Sequence, residues 1–255
     1  MRLFLVVFGL FIILQPSFAQ WDRTFTPDTG FRIIDGTVPR VFLDSITGKY
    51  FLYYCGQNGN PDEYQTSTDG LNFGNATVQP NMGSMSDTSF LHNPKIVDCH
   101  NNVYRKYYYN NDTLFSSSST DRINFTQDTG YRYILTASDN STHGVDDFIL
   151  LGGDSVVYLY LGDLYGRNNC RLALSTDNGM TFTFVDNDPL GDYNAGGGSH
   201  TYVDPKATKI SSSEYRIFTM KEGHQLYSFY TNDGFNFINE GLCLSASDFT
   251  GINAM

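Results

Sequence analysis

The sequence predicts an all-β protein, a β-propeller built from four tandem copies of a four-stranded antiparallel sheet. Two recurrent markers and one absence predict it. A turn motif recurs as STDGLNF (67–73), STDRINF (119–125), STDNGMTF (175–182) and TNDGFNF (231–237). Its closing phenylalanines, Phe73, Phe125, Phe182 and Phe237, stand 52, 57 and 55 residues apart. A separate opening motif (VPRVFLD, NPKIVD, DDFILL, DPKATKI) is marked by Pro39, Pro94, Asp147 and Pro205, at intervals of 55, 53 and 58. Two markers that share a period of this size mean stacked supersecondary units. Outside the first twenty residues no stretch sustains a 3.6-residue apolar period, so helix is expected to be scarce.

Each unit repeats one order of elements. The opening motif reads as a first strand, and an aromatic alternating strand follows it: KYFLYYC, VYRKYYYN, VVYLYLGD and YRIFTMKE. A third strand comes next (EYQTST, TLFSSSST, CRLALST, QLYSFYT), then the Asp/Gly turn, then a fourth strand opening on the phenylalanine. Period-2 runs rich in Tyr, Phe, Val and Ile between turn residues are strands, and four per unit make a propeller blade. The blades are expected at about 38–75, 92–128, 145–185 and 203–240 within one domain, residues 20–255. Residues 24–34, TFTPDTGFRII, match 124–134, NFTQDTGYRYI, and so read as the outer strand of an incomplete fifth blade. Counting on from Phe237, the next opening strand would fall past Met255, which predicts a propeller cut short before its last blade.

Residues 1–19 read as an export signal, with Arg2, an apolar run over 3–14, and small residues Ser17 and Ala19 before the cleavage site. That run is too short to cross a bilayer, which needs about 20 residues. The expected product is a secreted or periplasmic monomer with no membrane insertion. A net charge of −11 argues against nucleic acid and anionic membranes as partners, and disfavours polyanionic glycans. Aromatics make up 15% of the chain against 17% charged residues, which suits many short strands joined by polar turns.

Cys55, Cys99, Cys170 and Cys243 lie far apart with no CxxC pair, so zinc is not expected, and an oxidising compartment leaves three pairings open. Sequons at Asn75, Asn111, Asn124 and Asn140 would accept glycans only in a glycosylating eukaryote, and chance occurrence in an Asn/Ser/Thr-rich chain is the other reading. The turn motif resembles the Asp box, Ser-x-Asp-x-Gly-x-x-Phe/Trp, of sialidases and related propellers. That resemblance implies architecture: Asp69, Asp121, Asp177 and Asp233 accept amide hydrogen bonds in their own turns, away from any pocket. The segment Phe31-Arg32-Ile33 lacks the proline that follows it in sialidases. Arg132 repeats the same context in the second unit, so Arg32 reads as a strand residue.

First strands line a propeller's axis, so the loops before them and those joining second to third strands form one mouth. Repeat position puts Asp35, His92, Asn93, His143, Asp146, Asp147, His200 and Asp204 at the starts of first strands. Glu63, Asp163, Glu222 and His224 fall on the other loops of that face. Three readings fit such a ring: a pocket with catalytic acids, a binding pocket, or turn caps. Asp44 and Asp98 read as solvated turn residues, and Gly196–Gly198 as a flexible lip without the lysine of a phosphate loop. The Asp/Asn-Pro-x-apolar opener before an aromatic strand resembles the five-bladed arabinanases, β-xylosidases and levanase-like glycosidases. That resemblance implies hydrolysis of a neutral glycan by axial carboxylates. Asp35 would be the base, Asp146 or Asp147 the aspartate that orients the acid, and Glu222 the stand-in for the general acid. His92, Asn93, His143, Asp163, His200, Asp204 and His224 would bind substrate. The alternative is a non-catalytic propeller that binds a glycan or a protein. No cofactor is expected, and the reading admits only a structural Ca2+ near the axis.

Overall fold

The computed structural model describes residues 36–44, 47–56, 63–78, 95–110, 112–136, 147–163, 168–191, 202–221 and 225–245. These form four antiparallel sheets, each running in chain order from inner to outer strand. Sheet 1 holds β1 (Gly36–Leu43), β2 (Tyr50–Gly56), β3 (Glu63–Ser67) and β4 (Thr77–Val78). Sheet 2 holds β5 (Lys95–Cys99), β6 (Val103–Asn110), β7 (Thr113–Ser119) and β8 (Thr126–Gln127), with β9 (Tyr133–Ile134) also on β7. Sheet 3 holds β10 (Asp147–Leu150), β11 (Val156–Asp163), β12 (Asn168–Ser175) and β13 (Thr183–Asp186). Sheet 4 holds β14 (Tyr202–Lys209), β15 (Tyr215–Lys221), β16 (Gln225–Thr231) and β17 (Ile238–Leu244). This is a four-bladed propeller. Among the described residues its one helical element is a 3-10 turn at His100–Asn102.

The aromatic second strands feed cores on both of their faces. In β11, Val156, Tyr158 and Tyr160 face sheet 2 and pack with Tyr107, Tyr133 and Phe148, whose ring stacks on Tyr158 at 4.7 Å. The intervening Val157 and Leu159 join Ile217 and Phe229 of sheet 4. A third cluster, Phe51, Tyr53, Tyr104 and Phe125, lies between sheets 1 and 2. Each such side chain contributes about 1.5–3 kcal/mol on burial. A sheet sandwiched between two others buries both faces of its middle strands, which is why strict polar/apolar alternation is weak in β6 and β11.

The turn motif ties each sheet to the one before it. In the first copy Ser67 donates to Asp69 at 2.8 Å and accepts from the amides of Asp69 and Gly70, while Asp69 accepts from the amides of Leu71 and Asn72. The pattern recurs at Asp121 and Asp233, and at Asp177 with Thr181 in place of the asparagine. All four aspartates lie at the end of their sheets opposite the starts of the inner strands, as Tyr50 opposite both Leu43 and Ser67 shows for sheet 1. The closing phenylalanine does not open the fourth strand, as the repeat suggested. It immediately precedes the strand in sheets 2 to 4, and Phe125 and Phe182 plug the gaps between sheets 1 and 2 and sheets 2 and 3.

Burial pushes the Asp233 carboxyl up, but the Asn236 and Phe235 amides, the Asn236 side chain and Thr231 outweigh it and hold it at about 2. Asp69 is held lower still, first by the Asn72 amide. A folded-state pKa below the unfolded value of about 3.9 adds stability that is present above that pH and lost as pH falls through the folded value. Urea midpoints should therefore stay flat from pH 7 to 5 and drop between about pH 4 and 2. A midpoint unchanged at pH 2 would show that these turns are not stabilising.

Between sheets the docking uses carbonyls at left-handed turn residues. The Tyr53 hydroxyl donates to the Arg122 carbonyl at 2.7 Å, and the Tyr107 hydroxyl to the Gly179 carbonyl at 3.0 Å. At Gly179 φ is +76°, and an added Cβ would sit 2.0 Å from the Tyr107 hydroxyl oxygen. Gly179→Ala should cost about 3 kcal/mol, from left-handed strain of 1–2 and the broken hydrogen bond. That is roughly 10 °C in Tm for a domain of this size. Gly70→Ala, at φ +73° but 3.4 Å from the Tyr50 ring, should cost only the strain. Equal Tm losses in the two variants would contradict the docking argument.

Two expectations need correction. The outer strand of the second unit is not continuous over 124–134. It breaks into β8 and β9 around Asp128, whose carboxylate accepts from Ser116, Ser118 and Arg105. Asp44 is not a solvated turn residue but a buried one, paired with the Arg122 guanidinium at 2.5 Å. Asp98 lies in β5, and its side chain and residues 24–34 are outside what the structure describes.

Candidate functional site

The inner strands start beside the ends of the second strands: Gly36 pairs with Gly56, and Tyr202 with Lys221. One end of the propeller therefore gathers the inner-strand starts and the loops between second and third strands, opposite the Asp turns. Two expected site residues have described side chains there, Asp147 and Asp204. Asp163 ends β11 opposite Asn168, with its backbone alone described. Asp35, His92, Asn93, His143, Asp146, His200, Glu222 and His224 lie outside the described residues.

Asp147 opens β10 and is 1% exposed. One carboxylate oxygen accepts from the Phe148 amide at 2.8 Å, and the other from the Ala207 amide of β14 at 2.9 Å. This carboxylate therefore bridges the inner strands of sheets 3 and 4, and its burial is matched by two backbone donors. The Ala207 contact also sets Asp147 against the strand that carries Asp204.

Asp204 sits in a bulge of β14, where register shifts between Val203 and Lys206, and its φ is +57°. Pro205 follows it. A residue before proline prefers extended backbone, and left-handed conformations are uncommon outside glycine, so this position is strained by about 1–3 kcal/mol. Bulges re-aim side chains and gather beside active sites. β1 carries a bulge at the matching place, between Thr37 and Arg40, around Pro39. Pro39 and Pro205 are thus bulge residues, at a place inside a strand where a missing N–H costs no ladder bond.

Glu63 starts β3 at the same end, and its carboxylate accepts from the buried Tyr54 hydroxyl at 2.9 Å. Repeat position had placed Glu63 on this face, but its fixed partner had no signal in the sequence, because Tyr54 reads as one more strand aromatic. Cys99, Cys170 and Cys243 are free thiols, and burial pushes the Cys170 thiol well up. The Cys55 side chain is outside the described residues. Among the described residues no group of three or more His, Cys, Asp or Glu side chains could hold a metal ion.

No family model matches the chain, and no curated protein does. Solved structures do. An endo-1,4-β-xylanase of Bacteroides thetaiotaomicron matches with TM-score 0.55 and 12% identity over 80% of this chain and 74% of that one. Zg3597, a family 117 glycoside hydrolase of Zobellia galactanivorans, matches with TM-score 0.54 and 17% identity over 88% and 73%. The catalytic domain of a Coprinopsis cinerea GH62 α-L-arabinofuranosidase matches with TM-score 0.53 and 14% identity over 75% and 67%. In further glycosidase matches the chain spans 57%, 42% and 33% of the neighbour's length. At these identities the likeness is one of fold alone: the chain is a β-propeller similar in fold to these solved glycoside hydrolases.

Proposed function

We propose that this chain is an exported, glycoside-hydrolase-like propeller that acts on a neutral glycan through carboxylates at the axial mouth. The observation that carries the reading is Asp204. A non-glycine residue strained before proline, in a bulge on an inner strand that Asp147 bridges through Ala207, fits a site that aims a side chain. Glycosidic hydrolysis needs one acid to protonate the leaving oxygen and a second carboxylate to activate water or attack the sugar. Asp35 is assigned the base and Glu222 the acid. Asp146 or Asp147 is assigned the orienting role, and each oxygen of Asp147 accepts one backbone amide while keeping a second lone pair. Asp163, Asp204 and the mouth histidines would hold the sugar hydroxyls.

A binding propeller is the second reading, and Asp147 favours it: the one fully described carboxylate of the expected catalytic set is spent on structure. Assays on purified protein with aryl glycosides and neutral plant and microbial polysaccharides separate the two. Release of reducing sugar or aryl alcohol supports the enzyme. Retardation in polysaccharide gels without hydrolysis supports the binder. Failure of both across the panel sinks the glycan reading.

A further inference from the structure

We infer that Asn75 is an N-glycan acceptor whose glycan shields the outer edge of sheet 1; this rests on the export reading of residues 1–19. Two of the four sequons are described. Asn124-Phe125-Thr126 has a structural cause. The Asn124 carboxamide donates to Asp121 at 2.7 Å and its amide does the same at 2.7 Å, while Phe125 is buried. Asn72 and Asn236 make the same two bonds in their own turns, and neither has Ser or Thr two residues on. Asparagine is at position 124 because the turn needs it, and Thr126 completes a sequon by accident.

Asn75-Ala76-Thr77 has no such cause. It follows the turn, after Gly74 has donated to the Thr66 carbonyl, and all three residues are exposed. Thr77 enters β4, a two-residue outer strand opposite Tyr64 and Glu63. Val78 beside it is 53% exposed. The outer edge of a sheet presents unpaired backbone groups that another chain can join, and native proteins blunt or cover such edges. A bulky, hydrated glycan at Asn75 does that without touching the turn or any core.

In the transfer, the Asn75 Nδ2 bonds to the anomeric carbon of an oligosaccharide carried on a polyprenyl diphosphate. The anomeric C–O bond breaks, the diphosphate leaves with the electron pair, and the amide nitrogen gives up one proton. A glycan on Asn124 would have to be accommodated at the nitrogen that holds Asp121.

The test expresses the full chain in insect cells and treats the product with peptide-N-glycosidase in 18O water, which turns each glycosylated Asn into labelled Asp. Label at Asn75 is expected, with one glycan step of the gel shift lost in both Asn75→Gln and Thr77→Ala and kept in Thr126→Ala. An unlabelled Asn75 in protein that has entered the secretory lumen overturns the proposal, as does a step that survives Thr77→Ala and is lost in Thr126→Ala. A second chain with residues 1–19 replaced by a proven leader separates the two readings. If only that chain is exported and it carries label at Asn75, the export reading fails and the acceptor stands.

Discussion

Asp35→Asn and Glu222→Gln should each lower hydrolysis by about 100- to 10,000-fold, the range general acid–base groups supply. Both changes keep side-chain volume and remove only the titrating oxygen, so the thermal midpoint should hold while the rate falls. The variants also separate roles: with an aryl glycoside whose leaving group needs no protonation, Glu222→Gln should recover most of its activity and Asp35→Asn should not. Asp147 behaves differently under the same reading. Asp147→Ala strands the buried amide of Phe148, at about 1–3 kcal/mol, and the half-buried amide of Ala207, so its effect should appear in the melting curve first. Unchanged activity in both Asp35 and Glu222 variants would rule out these assignments and leave the binder.

Asp44→Ala should be the most damaging change away from the mouth. Asp44 and Arg122 are both buried, joined at 2.5 Å, and Arg122 also donates to the Tyr104 hydroxyl at 2.6 Å and lies 4.0 Å over its ring. Removing one member of a buried pair leaves an uncompensated charge, at a cost of about 3–5 kcal/mol. For a domain of this size that lowers Tm by about 10–15 °C. Arg122 also sits at φ +65°, where the first and fourth turns carry Gly70 and Gly234. Arg122→Gly combined with Asp44→Asn therefore restores the ordinary turn and removes both charges. The double variant should be more stable than Asp44→Ala alone. A loss below about 1 kcal/mol in Asp44→Ala would show that water reaches this pair, as it does in surface pairs.

Much of the fold was legible because its signals are local. β6 and β16 cover the strands read from VYRKYYYN and QLYSFYT. The turn bonds span two to four residues, as from Ser175 to Asp177 and from Thr181 to Asp177, so residue order alone carries them. Less of the site was legible. Repeat position could put Asp147 and Asp204 at inner-strand starts, but not reveal that one carboxylate bridges two sheets and the other residue is strained in a bulge. The misreading of Asp44 has the same origin. An aspartate in a Gly-containing turn looks solvated until the arginine that replaces glycine in the next unit arrives from across the gap.

The sequence by itself determined the repeat, the order of strands within each sheet and the turn chemistry, because those depend on side chains and amides a few residues apart. Tertiary structure alone decided which polar groups are buried and what each is for. Tyr53 meets Arg122 across 69 residues, and Asp147 meets Ala207 across 60. Contacts of that reach exist only once neighbouring sheets have packed, and burial then makes each unmatched donor or charge too costly to leave alone.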